Sequence, residues 1–281
     1  MPYRIYTDKH SLKPLLGLRG HQQSHIFRTL NTSVRRSGFL SKREQKMQRT
    51  VIPYQDDGID LEAFVAHPKE GKHPLVILCH AWKGRDEFIC EKARMISQQG
   101  YVGFALDMYG RGVLGKSKEE NAALKKPFTQ DRHLLQKRVL KGLEIASCLP
   151  YVDSKKIAVI GFGFGGICAL DLARTGADLK GVVSVYGHFD PPPSDLIKPI
   201  LAKVLILHGY NDPVTSQEEL RRFEKEMNKA KIDWQAHIYG NTMHAFATPG
   251  ANNPDAGFLH NPVAAARAWV AIQNFLNEVF L

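Results

Sequence analysis

The sequence contains no apolar run that approaches the roughly 18 residues of a membrane-spanning helix. A short apolar stretch near its start, Leu15-Leu16-Gly17-Leu18, is also too short for a secretory signal, which needs an apolar core of about 7 to 15 residues. These absences predict a cytoplasmic protein without a membrane partner. Because the N-terminus is rich in arginine and poor in acids, an organellar transit peptide is the alternative.

Cysteine is scarce, and no two cysteines form a C-x-x-C pair. Each lies in an apolar strand-like or helix-like pattern, which predicts reduced thiols in the core and excludes a disulfide framework. The four are Cys79, Cys90, Cys148 and Cys168.

Acidic residues are almost absent from the first 50 positions, which hold 11 Lys+Arg against 2 Asp+Glu. The remaining positions hold 27 basic and 26 acidic residues, so nearly all of the net charge of +10 lies in this segment. A nearly neutral main part does not support a nucleic-acid partner. With few acids and no sustained apolar period, residues 1–49 are predicted to form a basic, disordered extension, and Met47 is an alternative start of the chain.

Residues 50–281 are long and apolar enough to form one α/β domain. An antiparallel opening followed by alternating strands and helices predicts a mostly parallel sheet of about eight strands with helices on both faces. Segments Lys116–Gln130 and His188–Pro199 are expected to be loops that shape a pocket. Strands are predicted at Thr50–Tyr54, Leu61–Ala66, Leu75–His80, Tyr101–Asp107, Lys156–Ile160, Gly181–Tyr186, Lys203–His208 and Asp233–Tyr239. Helices are predicted at Glu87–Gln99, Leu134–Cys148, Ile167–Arg174, Gln217–Lys229 and Val263–Val279.

The hexapeptide Gly161-Phe162-Gly163-Phe164-Gly165-Gly166 joins a predicted strand to a predicted helix. It fits the nucleophile elbow G-x-Nu-x-G, a sharp turn whose flanking glycines permit close backbone approach. Gly161 and Gly165 occupy the flanks, so Gly163 stands where the nucleophile is expected. A glycine-rich turn that only packs the helix on the strand remains an alternative.

The same letters fit G-x-G-x-x-G through Gly161, Gly163 and Gly166, the dinucleotide-binding pattern of many oxidoreductases. That pattern needs an acidic residue at the end of the next strand. Residues 182–187 end without one, and Asp190 comes late in the chain. A nucleotide-binding oxidoreductase is therefore ranked below the elbow.

Two further residues complete a hydrolase constellation in the expected chain order of nucleophile, acid and histidine. Asp212 follows a predicted strand and precedes Pro213, and His244 lies in the loop after the last predicted strand. Since the base must abstract the nucleophile's proton and the acid must fix the tautomer of the base, this order favours hydrolysis.

Residues from about 50 to 280 resemble the dienelactone hydrolase family of α/β-hydrolases. The resemblance implies cleavage of a small-molecule lactone or other carboxylic ester by a Cys-Asp-His triad, with no metal and no dissociable cofactor. It makes Asp212 the acid, His244 the base and Gly163 the cysteine position. The motifs that carry it are Trp82–Phe88, Gly100–Gly110, Gly161–Gly166, His208–Pro213 and Met243–Phe246.

The chain departs from the family at Gly163 and at Ala81, where better-known members place a glutamate that interacts with the resting cysteine. Oxyanion stabilisation is expected from the N–H of Phe164 and from Ala81 or Trp82. We therefore expect a hydrolase scaffold with lost or very low activity, or else a natural pseudoenzyme that binds carboxylate-bearing ligands.

Two loop arginines, Arg85 and Arg111, are candidates for binding a substrate carboxylate by paired hydrogen bonds. Solvent-facing loop positions are the alternative for both. The sequence indicates no oligomeric state.

Overall fold

The computed structural model describes residues 47–281. The predicted extension, residues 1–49, therefore lies outside the described part except for its end, which belongs to the first strand. The extension and the alternative start at Met47 remain predictions.

Eight strands form the main sheet, one for each strand that the apolar, β-branched runs predict. They are β1 (Met47–Asp56), β2 (Ile59–Pro68), β3 (His73–Cys79), β4 (Val102–Leu106), β5 (Val152–Phe162), β6 (Gly181–Val185), β7 (Lys203–Gly209) and β8 (Trp234–Tyr239). Their order is β1-β2-β4-β3-β5-β6-β7-β8. The β1–β2 and β2–β4 pairs are antiparallel, and the other five pairs are parallel. The predicted α/β architecture with a mostly parallel sheet is confirmed.

Residues 47–281 contain six α-helices. They are α1 (Glu87–Ser97), α2 (Lys118–Gln130), α3 (Arg132–Ser147), α4 (Phe164–Arg174), α5 (Gln217–Lys229) and α6 (Pro262–Phe280). Buried side chains of α1 and α6 share one core cluster, and those of α2 to α5 share another. Each β-branched face of the sheet is thus covered by helices, as expected for parallel strands. No helix within residues 47–281 is both long and apolar enough to cross a membrane.

The expectation of a loop at Lys116–Gln130 is wrong, because Lys118–Gln130 forms α2. The Ser117 side chain caps this helix by accepting a hydrogen bond from the N–H of Glu120 at 3.1 Å. Only Phe128 of α2 is buried, and Pro127 lies inside the helix. A helix with one buried residue leaves almost no apolar periodicity in the sequence.

Two smaller features also differ from expectation. Two short strands, β9 (Asn252–Asn253) and β10 (Phe258–Leu259), form a hairpin after β8 that the sequence pattern does not indicate. Cys148 is exposed at the end of α3 instead of lying in the core, whereas the other three cysteines are buried and all four are free thiols. Segment His188–Pro199 is a loop, as expected, apart from the short 3₁₀ turn Ser194–Leu196.

Candidate active site

The residues predicted to do chemistry meet at the carboxyl ends of the parallel strands, where sites in such sheets form. Ala81 follows β3, Gly163 follows β5, and Asp212 follows β7. His244 lies in the loop between β8 and the β9–β10 hairpin, paired through a single bridge with Phe258.

The turn at Gly163 has the backbone of a nucleophile elbow. Its dihedral angles are φ 55° and ψ −113°, a region that residues with a side chain rarely adopt. The Gly163 N–H donates to the carbonyl of Val185 at 3.0 Å, and α4 begins at the next residue, Phe164. The chain therefore reverses sharply between the parallel strand and the helix that covers it.

The glycines of the elbow differ in the space that each would leave for a side chain. A Cβ at Gly161 would lie 1.8 Å from the carbonyl oxygen of Gly165, and a Cβ at Gly165 would lie 2.1 Å from that of Cys79. A Cβ at Gly166 would lie 2.6 Å from the Cα of Gly187. These three positions exclude any side chain, because helix and strands touch there through their backbones.

Gly163 has room for a side chain. The nearest atom to an added Cβ is Cε2 of Tyr186 at 3.3 Å, followed by Cδ2 of the same ring and the Cβ of Ala81 at 3.8 Å. The Tyr186 ring would have to move by only a few tenths of an ångström. Position 163 is therefore the elbow position at which a side chain can project into the site.

Asp212 and His244 form a buried hydrogen-bonded pair. His244 Nδ1 lies 2.8 Å from Asp212 Oδ2, and the two side chains are almost inaccessible to solvent. The other carboxylate oxygen, Oδ1, accepts hydrogen bonds from the N–H groups of Val214 at 2.8 Å and Thr215 at 3.0 Å. This arrangement fixes the carboxylate and makes the Nδ1–H tautomer of His244 the favoured neutral form, which leaves Nε2 free to accept a proton.

The pKa of Asp212 is below its ordinary value. Burial acts to raise this pKa, but the hydrogen bond and charge of His244 and the N–H of Thr215 outweigh burial. Asp212 is consequently ionised at neutral pH and stabilises a positive charge on His244.

Aromatic rings enclose His244 on several sides. Its ring centroid lies 5.2 Å from those of Tyr186 and Phe258 and 6.1 Å from that of His188. Phe258 in turn stacks on Trp82 with a centroid separation of 5.8 Å. The loop after β3 is thereby packed against the hairpin that contacts His244.

Three backbone N–H groups are available where an oxyanion would be stabilised. Those of Ala81, Trp82 and Phe164 meet no hydrogen-bond acceptor among the described residues. Phe164 is the first residue of α4, so its N–H has no partner within the helix and benefits from the helix dipole. His80 holds the β3 loop, since its Nε2 accepts from the N–H of Met108 at 3.2 Å and its Nδ1 lies 2.7 Å from the carbonyl oxygen of Ala81.

Arg85 and Arg111 both face Glu62. Arg85 donates through Nη2 to one carboxylate oxygen of Glu62, and Arg111 Nε lies 3.3 Å from the other. The Arg85 side chain is 13% exposed and that of Arg111 is 64% exposed. A role in binding a substrate carboxylate thus remains a prediction, and it would require the Glu62 contacts to be shared or broken.

The buried cysteines are poor substitutes for the absent nucleophile. Burial raises the pKa of Cys79 to about 12 and also raises that of Cys168 well above its ordinary value. Both remain protonated at neutral pH, and the thiolate is the reactive form. Within residues 47–281, no group of His, Cys, Asp and Glu side chains is arranged to hold a metal ion.

Two histidines near the pair were not singled out from the sequence. His208 is fully buried, with Nδ1 4.0 Å from Asp212 Oδ2 and no hydrogen bond to either ring nitrogen among the described residues. His188 follows β6, and its Nδ1 lies 3.2 Å from Thr215 Oγ1. Their positions at or just after the ends of predicted strands could have indicated that both histidines lie near the site.

Known proteins resemble this chain in sequence and in fold. The family model described as "Dienelactone hydrolase family" matches residues 61–280. A protein of Saccharolobus solfataricus named "Putative carboxymethylenebutenolidase" is 28% identical, with 81% of this chain and 98% of that protein covered. An uncharacterized protein of Caenorhabditis elegans is 31% identical over 54% of this chain and 99% of its own length. The crystal structure of a dienelactone hydrolase-like promiscuous phosphotriesterase from metagenomic libraries superposes with a TM-score of 0.80 at 29% identity, covering 84% of this chain and 99% of that one.

Proposed function

The chain belongs to the dienelactone hydrolase family, and from this premise we propose that its site is built to cleave a carboxylic ester or lactone but lacks the nucleophile. Asp212 is the acid, His244 is the base, and residue 163 is the nucleophile position. The N–H of Phe164, with that of Ala81 or Trp82, forms the oxyanion hole.

The observation that carries this proposal is the pairing of the 2.8 Å Asp212–His244 hydrogen bond with the elbow at Gly163. Neither a packing turn nor a nucleotide-binding loop requires a buried acid–base pair beside it. The packing of Gly161 and Gly166 against backbone also accounts for those glycines without a pyrophosphate.

With cysteine at position 163, the chemistry would run in two halves. Nε2 of His244 takes the thiol proton, the thiolate adds to the carbonyl carbon, and the oxyanion meets the N–H groups of Phe164 and Trp82. Collapse breaks the ester C–O bond, and His244 returns the proton to the leaving alkoxide. Water, deprotonated by His244, then cleaves the thioester and releases the acid and the free thiol.

With glycine there, no thioester can form, and His244 can act only on water. In a serine protease, loss of the nucleophile lowers kcat by about a millionfold but leaves roughly 10³ to 10⁴ over the uncatalysed rate, from the oxyanion hole and binding. We therefore assign this chain a very low hydrolytic activity.

A natural pseudoenzyme that binds carboxylate-bearing ligands is the second candidate. The Ala81 Cβ lies only 3.8 Å from the position of a Cβ at residue 163, so two small residues face each other in the site. Neither residue carries a reactive side chain, and this favours binding over chemistry.

Three proteins separate the two candidates: the Gly163 chain, Gly163→Cys and Gly163→Ala. They are assayed on p-nitrophenyl acetate and on a dienelactone. Hydrolysis is expected to rise by several orders of magnitude in Gly163→Cys and to stay at the level of the Gly163 chain in Gly163→Ala.

A correctly folded Gly163→Cys protein without activity on either substrate would refute the hydrolase and leave the pseudoenzyme. High and equal activity in all three proteins would place the nucleophile elsewhere. Tight NAD binding by the Gly163 chain would favour the nucleotide-binding alternative.

A further inference from the structure

His80 connects the loop after β3 to the end of β4. Its side chain is fully buried, and both ring nitrogens have backbone partners. Nε2 lies 3.2 Å from the backbone nitrogen of Met108, and Nδ1 lies 2.7 Å from the carbonyl oxygen of Ala81. The proposed hydrolysis uses His244 as its base and gives His80 no acid or base step. The burial of His80 beside the site therefore needs another explanation.

The partners of His80 determine where its proton lies. A backbone N–H can only donate, so the Met108 contact requires an unprotonated Nε2. A carbonyl oxygen can only accept, so the Ala81 contact requires the proton on Nδ1. Burial lowers the pKa of His80, although the hydrogen bond to Ala81 and the charge of Asp107 oppose this effect. The ring is consequently neutral at physiological pH and carries its proton on Nδ1.

The hydrogen bond from Nδ1 also fixes the direction of the Trp82 N–H. The Ala81 C=O and the Trp82 N–H belong to one planar trans peptide group, so they point in opposite directions. Because the carbonyl is directed at His80, the Trp82 N–H is directed away from that ring, and it meets no backbone acceptor within residues 47–281. His80 thereby sets the direction of a candidate oxyanion donor from the side opposite that donor.

Two other contacts hold the same loop, but neither replaces that of His80. The Gly84 N–H donates to the Ala81 carbonyl at 3.2 Å, which closes a turn within the loop. The Tyr109 hydroxyl donates to the carbonyl of Trp82 at 3.1 Å, which holds the next peptide group. The 2.7 Å bond from His80 is the shortest of the three, and it connects the Ala81–Trp82 peptide group to the end of β4.

The His80 ring also lies beside the residue that carries the second candidate donor. Its centroid is 6.2 Å from that of Phe164 and 4.8 Å from that of Tyr109, which stacks on Phe164 at 5.8 Å. Phe164 begins α4 and has its N–H at the elbow. The separation of the two donors thus depends on the packing around His80.

We propose that His80 is a positioning residue of the oxyanion hole, whose neutral, Nδ1-protonated ring holds the Ala81–Trp82 peptide group so that the Trp82 N–H faces the oxyanion. This inference rests on the proposed function and adds to it a residue that does not touch the substrate. Because the oxyanion forms only after the nucleophile adds to the carbonyl, loss of the contact should lower kcat and leave KM nearly unchanged.

Two substitutions at position 80 separate the contacts of the two ring nitrogens. In the Gly163→Cys background, His80→Asn places an amide N–H near the position of Nδ1 and keeps a donor for the Ala81 carbonyl. His80→Gln reaches the position of Nε2 and keeps an acceptor for the Met108 N–H. In hydrolysis of p-nitrophenyl acetate, kcat should fall about 100-fold in His80→Gln but less than about tenfold in His80→Asn, with little change in KM in either variant.

His67 provides a matched control. It is buried, and its Nδ1 lies 2.7 Å from the carbonyl oxygen of the next residue, Pro68, as in the contact of His80 with Ala81. His67 lies near the end of β2, which is antiparallel to β4, so it is at the edge of the sheet opposite the site. In urea denaturation His67→Gln should lower stability about as much as the two His80 variants, yet it should leave kcat unchanged.

Nitrogen-15 NMR of the Gly163 chain tests the tautomer without any catalysis. The signals of His80 are assigned by their loss in His80→Asn. At pH 7 they should show a protonated Nδ1 and an unprotonated Nε2. A proton on Nε2 would overturn the proposal at any level of activity.

The kinetic outcomes distinguish this inference from the proposed function. An equal loss of kcat in His80→Asn and His80→Gln, or a loss of the same size in His67→Gln, would overturn the role of His80 and leave the hydrolase in place. Absence of hydrolysis in Gly163→Cys with His80 intact would overturn the proposed function, and the role of His80 with it.

Discussion

The Cβ of Ala81 lies 3.8 Å from the point at which a side chain at Gly163 would begin. Two loops from neighbouring strands therefore bring positions 81 and 163 face to face. These are the two positions at which the resemblance to the dienelactone hydrolase family predicts a glutamate and a cysteine. Side chains at positions 81 and 163 would therefore contact each other, and the effects of substitutions at the two positions should depend on each other.

The first prediction concerns that coupling. In the Gly163→Cys background, Ala81→Glu should raise the pKa of the new thiol, because a carboxylate at contact distance disfavours the thiolate. The rate of alkylation by iodoacetamide, measured against pH, should show a midpoint about one pH unit higher than in Gly163→Cys alone. Ala81→Gln is the control of matched size. An identical shift with glutamine would show that bulk, not charge, is responsible.

A second prediction concerns stability at the elbow. Gly163→Ala and Gly163→Cys should both lower the free energy of unfolding by about 1 to 3 kcal/mol, the cost of a side chain in this backbone region. Urea denaturation measures the difference. Gly240→Ala is the control, because a Cβ there meets nothing within 4 Å.

Gly161→Ala should be far more damaging than either change at position 163, since its Cβ would overlap the Gly165 carbonyl. Equal stability of Gly163→Ala and Gly240→Ala would argue that the backbone conformation at position 163 imposes no strain on a side chain.

The third prediction tests the acid. In the Gly163→Cys background, Asp212→Asn should lower kcat by about 10²- to 10⁴-fold, because an amide favours the wrong tautomer of His244 and cannot stabilise its charged form. Melting followed by circular dichroism verifies the fold. Asp233→Asn, at an exposed residue paired with Lys203, serves as the control. A reduction of less than threefold at position 212 would remove Asp212 from the mechanism.

The fourth prediction concerns acid sensitivity. The pKa of His188 is about 4 in the folded chain and 6.5 ordinarily. Between these values the unfolded chain binds the extra proton, so stability falls as the pH drops from 6.5 to 4. Lys125, His244, Asp190 and Asp212 are the charged groups that act on this ring.

His188→Gln should remove part of that loss, at most roughly 3 kcal/mol, in urea denaturation at pH 4.5 compared with pH 7. His80 and His208, whose pKa values are also lowered by burial, should keep the remaining dependence. A variant with the same pH dependence as the parent would contradict the assignment.

Much of the framework could be predicted because strong local signals agree with the tertiary structure. The apolar runs mark all eight main strands, and the signal is strongest for central strands such as β4 and β6, which are buried on both faces. The positions of Asp212 and His244 after two strands predicted that they lie close together, because the carboxyl ends of parallel strands meet at one edge of the sheet. The helix predicted at Gln217–Lys229 has the observed bounds of α5, where Ser216 and Glu219 form a capping box.

The site's outer parts could not be predicted, for two physical reasons. Helix α2 buries only Phe128, so its pattern is polar and contains Pro127. The partners of Arg85 and Arg111 depend on the distant residue Glu62, whose position is set by the pairing of β2 with β4. Local sequence carries no information about such contacts.

The stack of Trp82 on Phe258 has an evolutionary consequence. It holds the loop after β3 against the hairpin beside His244 without any contribution from residue 163. A lineage can therefore lose its cysteine while selection for folding alone keeps the surrounding loops in register. Glycine and cysteine codons can differ by a single base, so one mutation can place a thiol at position 163, and the surrounding packing decides whether that change gives turnover.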